Sequence, residues 1–246
     1  MLNQNVDLDF FTGFNRDYYD ALIDDSPYHG ITVSSEFYDV HSFVNSALIS
    51  GKTLYLSINI QSLQSKHEHL SSIICDLEKN GAHIEVIALQ EIWNINYPEL
   101  LIIDGYKPLM YKKRRGMRGG GVGFYIKNNL NAEIIEHLSP FEEKIIEALT
   151  ITISYPDSNK HVLCTSVYRS NGIIHNVTSS QQMERFMSKF TELLDSIQQT
   201  KKESYIFIDS NIDLLNLRNL SVSNYMNLII EKSFLHGNIQ GYPYAK

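Results

Sequence analysis

The chain has 246 residues, 43% hydrophobic and 20% charged, with a formal net charge of -7, enough for one sizeable core in the ordinary soluble range. No window approaches the run of about 18 apolar residues that a membrane span needs. MLNQNVDLDF has neither the basic start nor the apolar centre of a signal peptide, so an intracellular protein is expected.

Residues 1–50 hold eight acids and one base, which leaves 20 acids and 20 bases for the rest of the chain. They read as an acidic lead with one short helix at SSEFYDVHSFVNSAL, where Phe37, Val40, Val44, Ala47 and Leu48 recur at helical spacing. Residues 51–246 read as the domain proper. TLYLSINI is expected as a strand and QSKHEHLSSIICDLEKNG as a helix with Leu70, Ile73, Ile74 and Leu77 on one face and Gly81 as its stop. EVIALQ is a second strand, completing a βαβ opening. KPLMY, GVGFYIK, AEIIEHL, ALTITISY and HVLCTSVYR are then expected as five strands in a continuous antiparallel run. KKRRGMR, Lys112 to Arg118, puts five positive charges in seven residues. Such a run is usually a solvated loop, and it can equally neutralise phosphates. GGG at Gly119 to Gly121 reads as a flexible turn. Glu142, Glu143 and Glu147 read as solvent-facing or bracing a turn, and Cys75 and Cys164 as small core residues. A long amphipathic helix, SSQQMERFMSKFTELLDSIQQ, precedes the strand YIFID, and a last helix lies near SNYMNLIIEKSF. Strands in two blocks with flanking helices predict an α+β sandwich, two sheets face to face with helices outside.

Polar residues gather where apolar strands end: Asn59 after LYLSI, Glu91 after VIALQ, Tyr168 and Arg169 after CTSV, and Asp209 with Asn211 after YIFI. A single such residue is more often a turn former than a functional group. Four strand ends of this kind converge on one rim if the strands lie side by side. Carboxylates and amides without a Cys or His cluster are hard oxygen ligands of the sort that hold Mg²⁺. That points to metal-assisted phosphoester chemistry. Glu91 would hold the metal, Asn59 and Asn211 would donate to phosphate, Asp209 would orient or activate water, and Tyr168 would donate to a phosphate oxygen or the leaving alkoxide.

LSINIQSL, VIALQEIW, RGGGVGFYIKNNL, SVYRS and IFIDSNIDLL, in that order, resemble the endonuclease/exonuclease/phosphatase superfamily. The likeness is to its branch in non-LTR (LINE-type) retrotransposons, where an apurinic-like endonuclease nicks target DNA. It runs from about Leu54 to the end of the chain. Asn59 matches the Asn of the first strand, Glu91 the metal-binding Glu, Tyr168 the active-site Tyr, and Asp209 and Asn211 the Asp and Asn of the family's GDFN. The resemblance implies a four-layer αββα sandwich and dependence on Mg²⁺, with Mn²⁺ as a substitute, Asn59 joining Glu91 at the metal. It also implies cleavage of DNA to a 3′-hydroxyl end, a reverse transcriptase domain as partner in an intact element, and a nuclear site of action. Arg114, Arg115, Arg118 and Arg169 become candidate DNA contacts.

The sequence departs from that family at three places. GDFN stands here as Ile208-Asp209-Ser210-Asn211. The Pro pair that follows Tyr-Arg in the family is Ser170 and Asn171. The family's later strand with a further Asp, and its Ser-Asp-His run, have no counterpart; the one histidine after Asn211 is His236. A C-terminally truncated domain with an exposed sheet edge and impaired activity is therefore expected. An inactive remnant that binds DNA or a protein, and a phosphatase of the same fold, stay as alternatives.

Overall fold

The computed structural model describes residues 53–234, apart from 117, 157, 215, 217 and 218. The acidic lead and its expected helix, and His236, lie outside the described residues. The chain divides into two compact units, and the larger is Ile49–Asn211.

That unit opens with β1 (Thr53–Asn59), α1 (Leu63–Lys79) and β2 (His83–Gln90), with β1 and β2 parallel. On α1 the residues Leu63, Leu70, Ile74 and Leu77 are buried, a spacing of seven, four and three that makes one helical face. The helix stops at Asn80 and Gly81, whose φ of 93° is the left-handed conformation in which glycine has no Cβ to clash. Cys75 falls on the outer side of this helix and is exposed, so only Cys164 is the buried core thiol that both were expected to be.

The expected continuous antiparallel run is divided between two sheets. β3 (Met110–Lys112) and β4 (Val122–Ile126) join the first sheet, in the order β1-β2-β4-β3. Both edges of β4 are then occupied, by β2 and by β3, so the chain cannot add a further strand there. It passes instead to the second sheet. β5 (Asn131–Ile134), β7 (Ile146–Ser154), β8 (His161–Tyr168) and β9 (Glu203–Asp209) lie there in the order β5-β7-β8-β9, with the short β6 (Phe141–Glu142) beside β7. AEIIEHL is a strand only as far as Ile134; Glu136–Leu138 is a single 3-10 turn.

Between β8 and β9, which are parallel, runs α2 (Ser179–Gln199). Its start is a capping box: the Thr178 side chain accepts from Gln181 N, and the Gln181 side chain accepts from Thr178 N. Met183, Phe186, Phe190, Leu193, Leu194 and Ile197 form its buried stripe, with the Phe186 and Phe190 rings stacked 5.3 Å apart. α1 packs on the first sheet and α2 on the second, giving an αββα sandwich. Alternate residues of both sheets fill the middle: Val86 and Ala88, Val122, Phe124 and Ile126, Leu149, Ile151 and Ile153, Val162 and Cys164. Among the described residues β1 and β9 are edge strands of their sheets.

In the other unit the described element is α3 (Leu220–Glu231), capped by Asn219, whose side chain accepts from Ser221 N. Among the described residues no helix is long and apolar enough to cross a membrane. Truncating a fully buried stripe residue leaves a cavity that a packed interior closes only in part. Phe186→Ala is expected to cost about 3–5 kcal/mol, read as a lower urea midpoint at unchanged slope.

Candidate functional site

The convergence of strand ends has a definite cause in the sheet topology. Each sheet carries one parallel pair, and register places Asn59 beside Gln90 in the first and Tyr168 beside Asp209 in the second. The pairs are stacked across the core. The Tyr55 ring of β1 lies 4.8 Å from Tyr205 and 6.3 Å from Phe207 of β9. Gln90 of β2 donates from Nε2 to Ser166 Oγ of β8 at 3.0 Å, and Ser166 Oγ donates to Leu89 O at 3.0 Å. Four strands therefore end at one rim.

At that rim the Asn59 amide joins the two sheets. Its Nδ2 donates to Asp209 Oδ2 at 2.6 Å and to Glu91 Oε1 at 3.1 Å. The second Glu91 oxygen accepts from Trp93 Nε1 at 2.9 Å. Tyr168, which is 4% exposed, hydrogen-bonds to Glu91 as well. The other Asp209 oxygen accepts from Asn211 N at 3.3 Å, and Asn211 Nδ2 donates to Arg169 O at 2.7 Å. The backbone leaves the strands sharply: Glu91, Trp93 and Asn211 have φ of 54°, 59° and 49°. Asn tolerates that left-handed region; Glu and Trp adopt it at a cost the surroundings must offset.

Burial raises the Asp209 carboxyl above its ordinary value, with the nearby Glu91 charge adding to it, while the hydrogen bonds from Asn59 and Asn211 act the other way. Burial and the carboxylates of Glu91 and Asp209 push the Tyr168 hydroxyl far up, so it stays protonated and available as a donor. Among the described residues neither Glu91 nor Asp209 has an ion-pair partner; their donors are amide, indole and phenol groups. Two adjacent carboxylates held by neutral donors fit a hard divalent cation, which takes one or two protein carboxylates and keeps its waters. Glu91 would hold it, with Asn59 Oδ1 as the neighbouring neutral oxygen, and Asp209 would face its water. No group of three or more His, Cys, Asp or Glu suited to a metal occurs among the described residues, so the closed all-protein cage of a structural metal is not what the site offers.

The arginines separate into different roles. Arg118 is exposed and lies over the Trp93 ring, 4.9 Å from its centroid. It helps line a cleft of about 350 Å³ with Ser62, Gln64, Ser65, Asn94 and Asn96. Arg115 is exposed, its backbone N–H held by Glu143. Arg169 braces the loop after β9, donating to Ser210 O at 3.0 Å and Asn211 O at 3.1 Å while its guanidinium lies over Phe186. Arg114 departs from the expected solvated loop. It is 7% exposed and its Nε donates at 2.5 Å to Glu147, itself 0% exposed; of the two roles expected for that acid, solvent-facing or bracing a turn, it has the second. Nη2 approaches the same oxygen at 2.5 Å as an ion pair without hydrogen-bond alignment. A buried guanidinium tied to a buried carboxylate is not placed to meet a DNA phosphate. The Gly119–Gly121 turn is built rather than flexible: Trp93 N donates to Gly120 O at 2.8 Å, and Gly121 N to Glu147 Oε2 at 2.5 Å. Gln90, Trp93, Arg114, Glu147 and Ser166 are thus site residues that the reading of strand ends missed. The signal for Gln90 is a polar residue closing the apolar run Val86, Ile87, Ala88 and Leu89.

No protein-family model matches the chain, and no curated protein matches it. Several solved structures are similar to it. Zebrafish (D. rerio) TDP2 complexed with a single-strand DNA product is 17% identical over 68% of this chain and 62% of its own, with a TM-score of 0.44. The Neisseria 3′ phosphatase NExo bound to a product DNA hairpin is 14% identical over 70% and 68%, with a TM-score of 0.48. An endonuclease/exonuclease/phosphatase family protein from Bacteroides thetaiotaomicron is 10% identical over 70% and 65%, with a TM-score of 0.47.

A raised folded-state pKa means that the folded protein binds the Asp209 proton more tightly than the unfolded chain. The stability from that group is complete below the unfolded value and is lost as pH rises through the folded one. Asp209→Asn keeps an acceptor for Asn59 and removes the buried charge. Without divalent cations it is expected to unfold at higher urea than the parent at pH 7, the difference closing as pH falls through the carboxylate range. Glu147→Ala leaves a buried guanidinium unpaired and is expected to cost about 3–5 kcal/mol in the same assay.

Proposed function

We propose that the Ile49–Asn211 unit is a Mg²⁺-dependent phosphodiesterase of the endonuclease/exonuclease/phosphatase type that cleaves DNA, the nicking domain of a LINE-type retrotransposon. The observation that carries this reading is the Asn59 amide shared by Glu91 and Asp209, with the protonated Tyr168 on the same carboxylate. The ordered motifs that hold these four residues support the LINE-type assignment. A bound Mg²⁺ would supply charge stabilisation at the phosphoryl group and leaving oxygen.

The protein's own groups do the rest. Asp209 is the carboxylate not engaged by Trp93 or Tyr168, and it takes the proton of the attacking water as the water oxygen bonds to phosphorus. The bond from phosphorus to the 3′ oxygen breaks, and the products are a 3′-hydroxyl and a 5′-phosphate. Tyr168 donates to a phosphate oxygen or to the departing alkoxide, and Asn59 holds the two carboxylates at a fixed separation. Arg118 and Arg115, exposed on one segment, neutralise flanking phosphates. Positioned acid–base help is worth about 10²–10⁴ in rate. The departures from the family's pattern at Ile208, Ser210, Ser170 and Asn171 favour a second reading, a remnant that binds DNA without cutting it.

Plasmid nicking decides between them. The parent is expected to nick supercoiled DNA with Mg²⁺ or Mn²⁺, and Glu91→Gln to lower that rate at least about 100-fold. DNA binding with no nicking under either cation would establish the remnant. Arg118→Ala is expected to weaken DNA binding alike for all sequences and to lower the slope of log affinity against log salt by about one, as removal of one phosphate contact does.

A further inference from the structure

Glu91 is the residue on which both sheets' donors converge, yet it stands in a left-handed backbone conformation with Trp93, also left-handed, two residues on. Such a segment does not hold itself. Its restraint comes from the Gly119–Gly121 turn, whose carbonyls at Gly120 and Gly121 accept from Trp93 N at 2.8 Å and Ile92 N at 3.4 Å. That turn is in turn held by Glu147, which accepts from Gly121 N at 2.5 Å, Lys144 N at 3.1 Å and Arg114 Nε at 2.5 Å. All four available contacts of the carboxylate, the Nη2 ion pair included, therefore fix backbone or balance its charge. The turn must be glycine to fit. Gly120 and Gly121 have φ of 67° and 83°; a Cβ at Gly120 would land on the Arg114 guanidinium and a Glu147 oxygen, and one at Gly121 would meet Ile92 Cγ1 at 2.8 Å.

We propose that the buried Arg114–Glu147 pair is a positioning device for the metal-binding carboxylate, acting on Glu91 through the glycine turn and Trp93. The inference deepens the proposed phosphodiesterase reading and rests on it for the role of Glu91. A purely structural pair would be replaceable by apolar groups without effect on the site, because exchanging both partners of a buried ion pair for hydrophobic residues of like volume is often neutral for stability. A positioning pair is not replaceable in that way. Glu147 binds the turn through specific backbone N–H groups, which no apolar side chain can accept.

Trp93 is the chain's one tryptophan, so its fluorescence reports this segment directly. The test compares the parent with Glu147→Gln and with the double variant Arg114→Met, Glu147→Leu, which removes both buried charges together. Leu193→Ala, in the distant α2 stripe, controls for simple loss of stability. Trp93 emission and its quenching by acrylamide are measured without metal, and Mn²⁺ alone is then titrated against that emission. The double variant is expected to unfold cooperatively like the parent, to show shifted Trp93 emission with easier quenching, and to need about 10–100-fold more Mn²⁺ for half-saturation. Leu193→Ala is expected to retain parental emission and Mn²⁺ half-saturation. A folded double variant with parental emission and parental Mn²⁺ dependence overturns the proposal. A parent that binds no Mn²⁺ overturns the phosphodiesterase reading instead, while the metal-free emission still shows whether the pair holds Trp93.

Discussion

A hydrogen bond buried between the two sheets sets the geometry of everything at the rim. Gln90 ends β2 after the apolar run Val86, Ile87, Ala88 and Leu89, and Ser166 lies in β8 between Thr165 and Val167; their side chains meet at 3.0 Å between the layers. Burial of apolar area is itself non-directional, roughly proportional to the surface removed from water. A buried amide is not indifferent, since any slide leaves it without a partner in a low-dielectric interior. Gln90 immediately precedes Glu91, and Ser166 stands two residues before Tyr168. The polar contact therefore fixes the offset of the sheets directly beneath the groups that meet above it.

Given that offset, two parallel strand pairs become more than a topological detail. Parallel neighbours end at the same level, so each pair presents two strand ends at the rim, and crossing helices α1 and α2 return the chain to make that possible. The backbone then turns abruptly after β2 and β9, into left-handed conformations at Glu91 and Asn211. This aims carboxylate and amide back across the rim rather than along the strand direction. The strain is local and is met by local hydrogen bonds: Ser62 N to Glu91 O at 2.9 Å, Trp93 N to Gly120 O at 2.8 Å, and Arg169 Nη1 to the carbonyls after β9.

How much of this was legible in the sequence differs by element, for physical reasons. α2 could be read end to end because a wide apolar stripe and a Thr-x-x-Gln cap mark the same helix independently. The opening strand, helix and strand are legible from the apolar face of α1 and its stop at Gly81, with apolar strand segments on either side. The sheet to which each of the middle strands belongs was not, because alternation shows which face is buried and says nothing about which neighbour is free to pair. Asn59, Glu91, Tyr168 and Asp209 stood out as polar groups closing apolar strands, and the structure brings these four together. Asn211 lies at the same rim, but its amide donates to Arg169 O. The role of Trp93 is not legible, because its Nε1 meets Glu91 only through the left-handed turn that follows β2. The Arg114–Glu147 pair is not legible, because the two residues are 33 apart and find each other only in three dimensions.

The balance of charge around the rim explains why a cation, and not a lysine or arginine of the chain itself, is the natural complement of the two carboxylates. The Arg114 guanidinium, whose charge is felt at Tyr168, is already committed to Glu147, and Arg169 is directed at backbone carbonyls. Had either side chain reached Glu91 or Asp209, a permanent ion pair would have neutralised the site and displaced a metal from it. Neutral donors act differently. An amide shared between Glu91 and Asp209 orients both oxygens without cancelling their charge, so the field at the rim stays negative. By keeping its internal cation buried with its own acid, the fold separates the charge that holds the scaffold from the charge left to bind an ion.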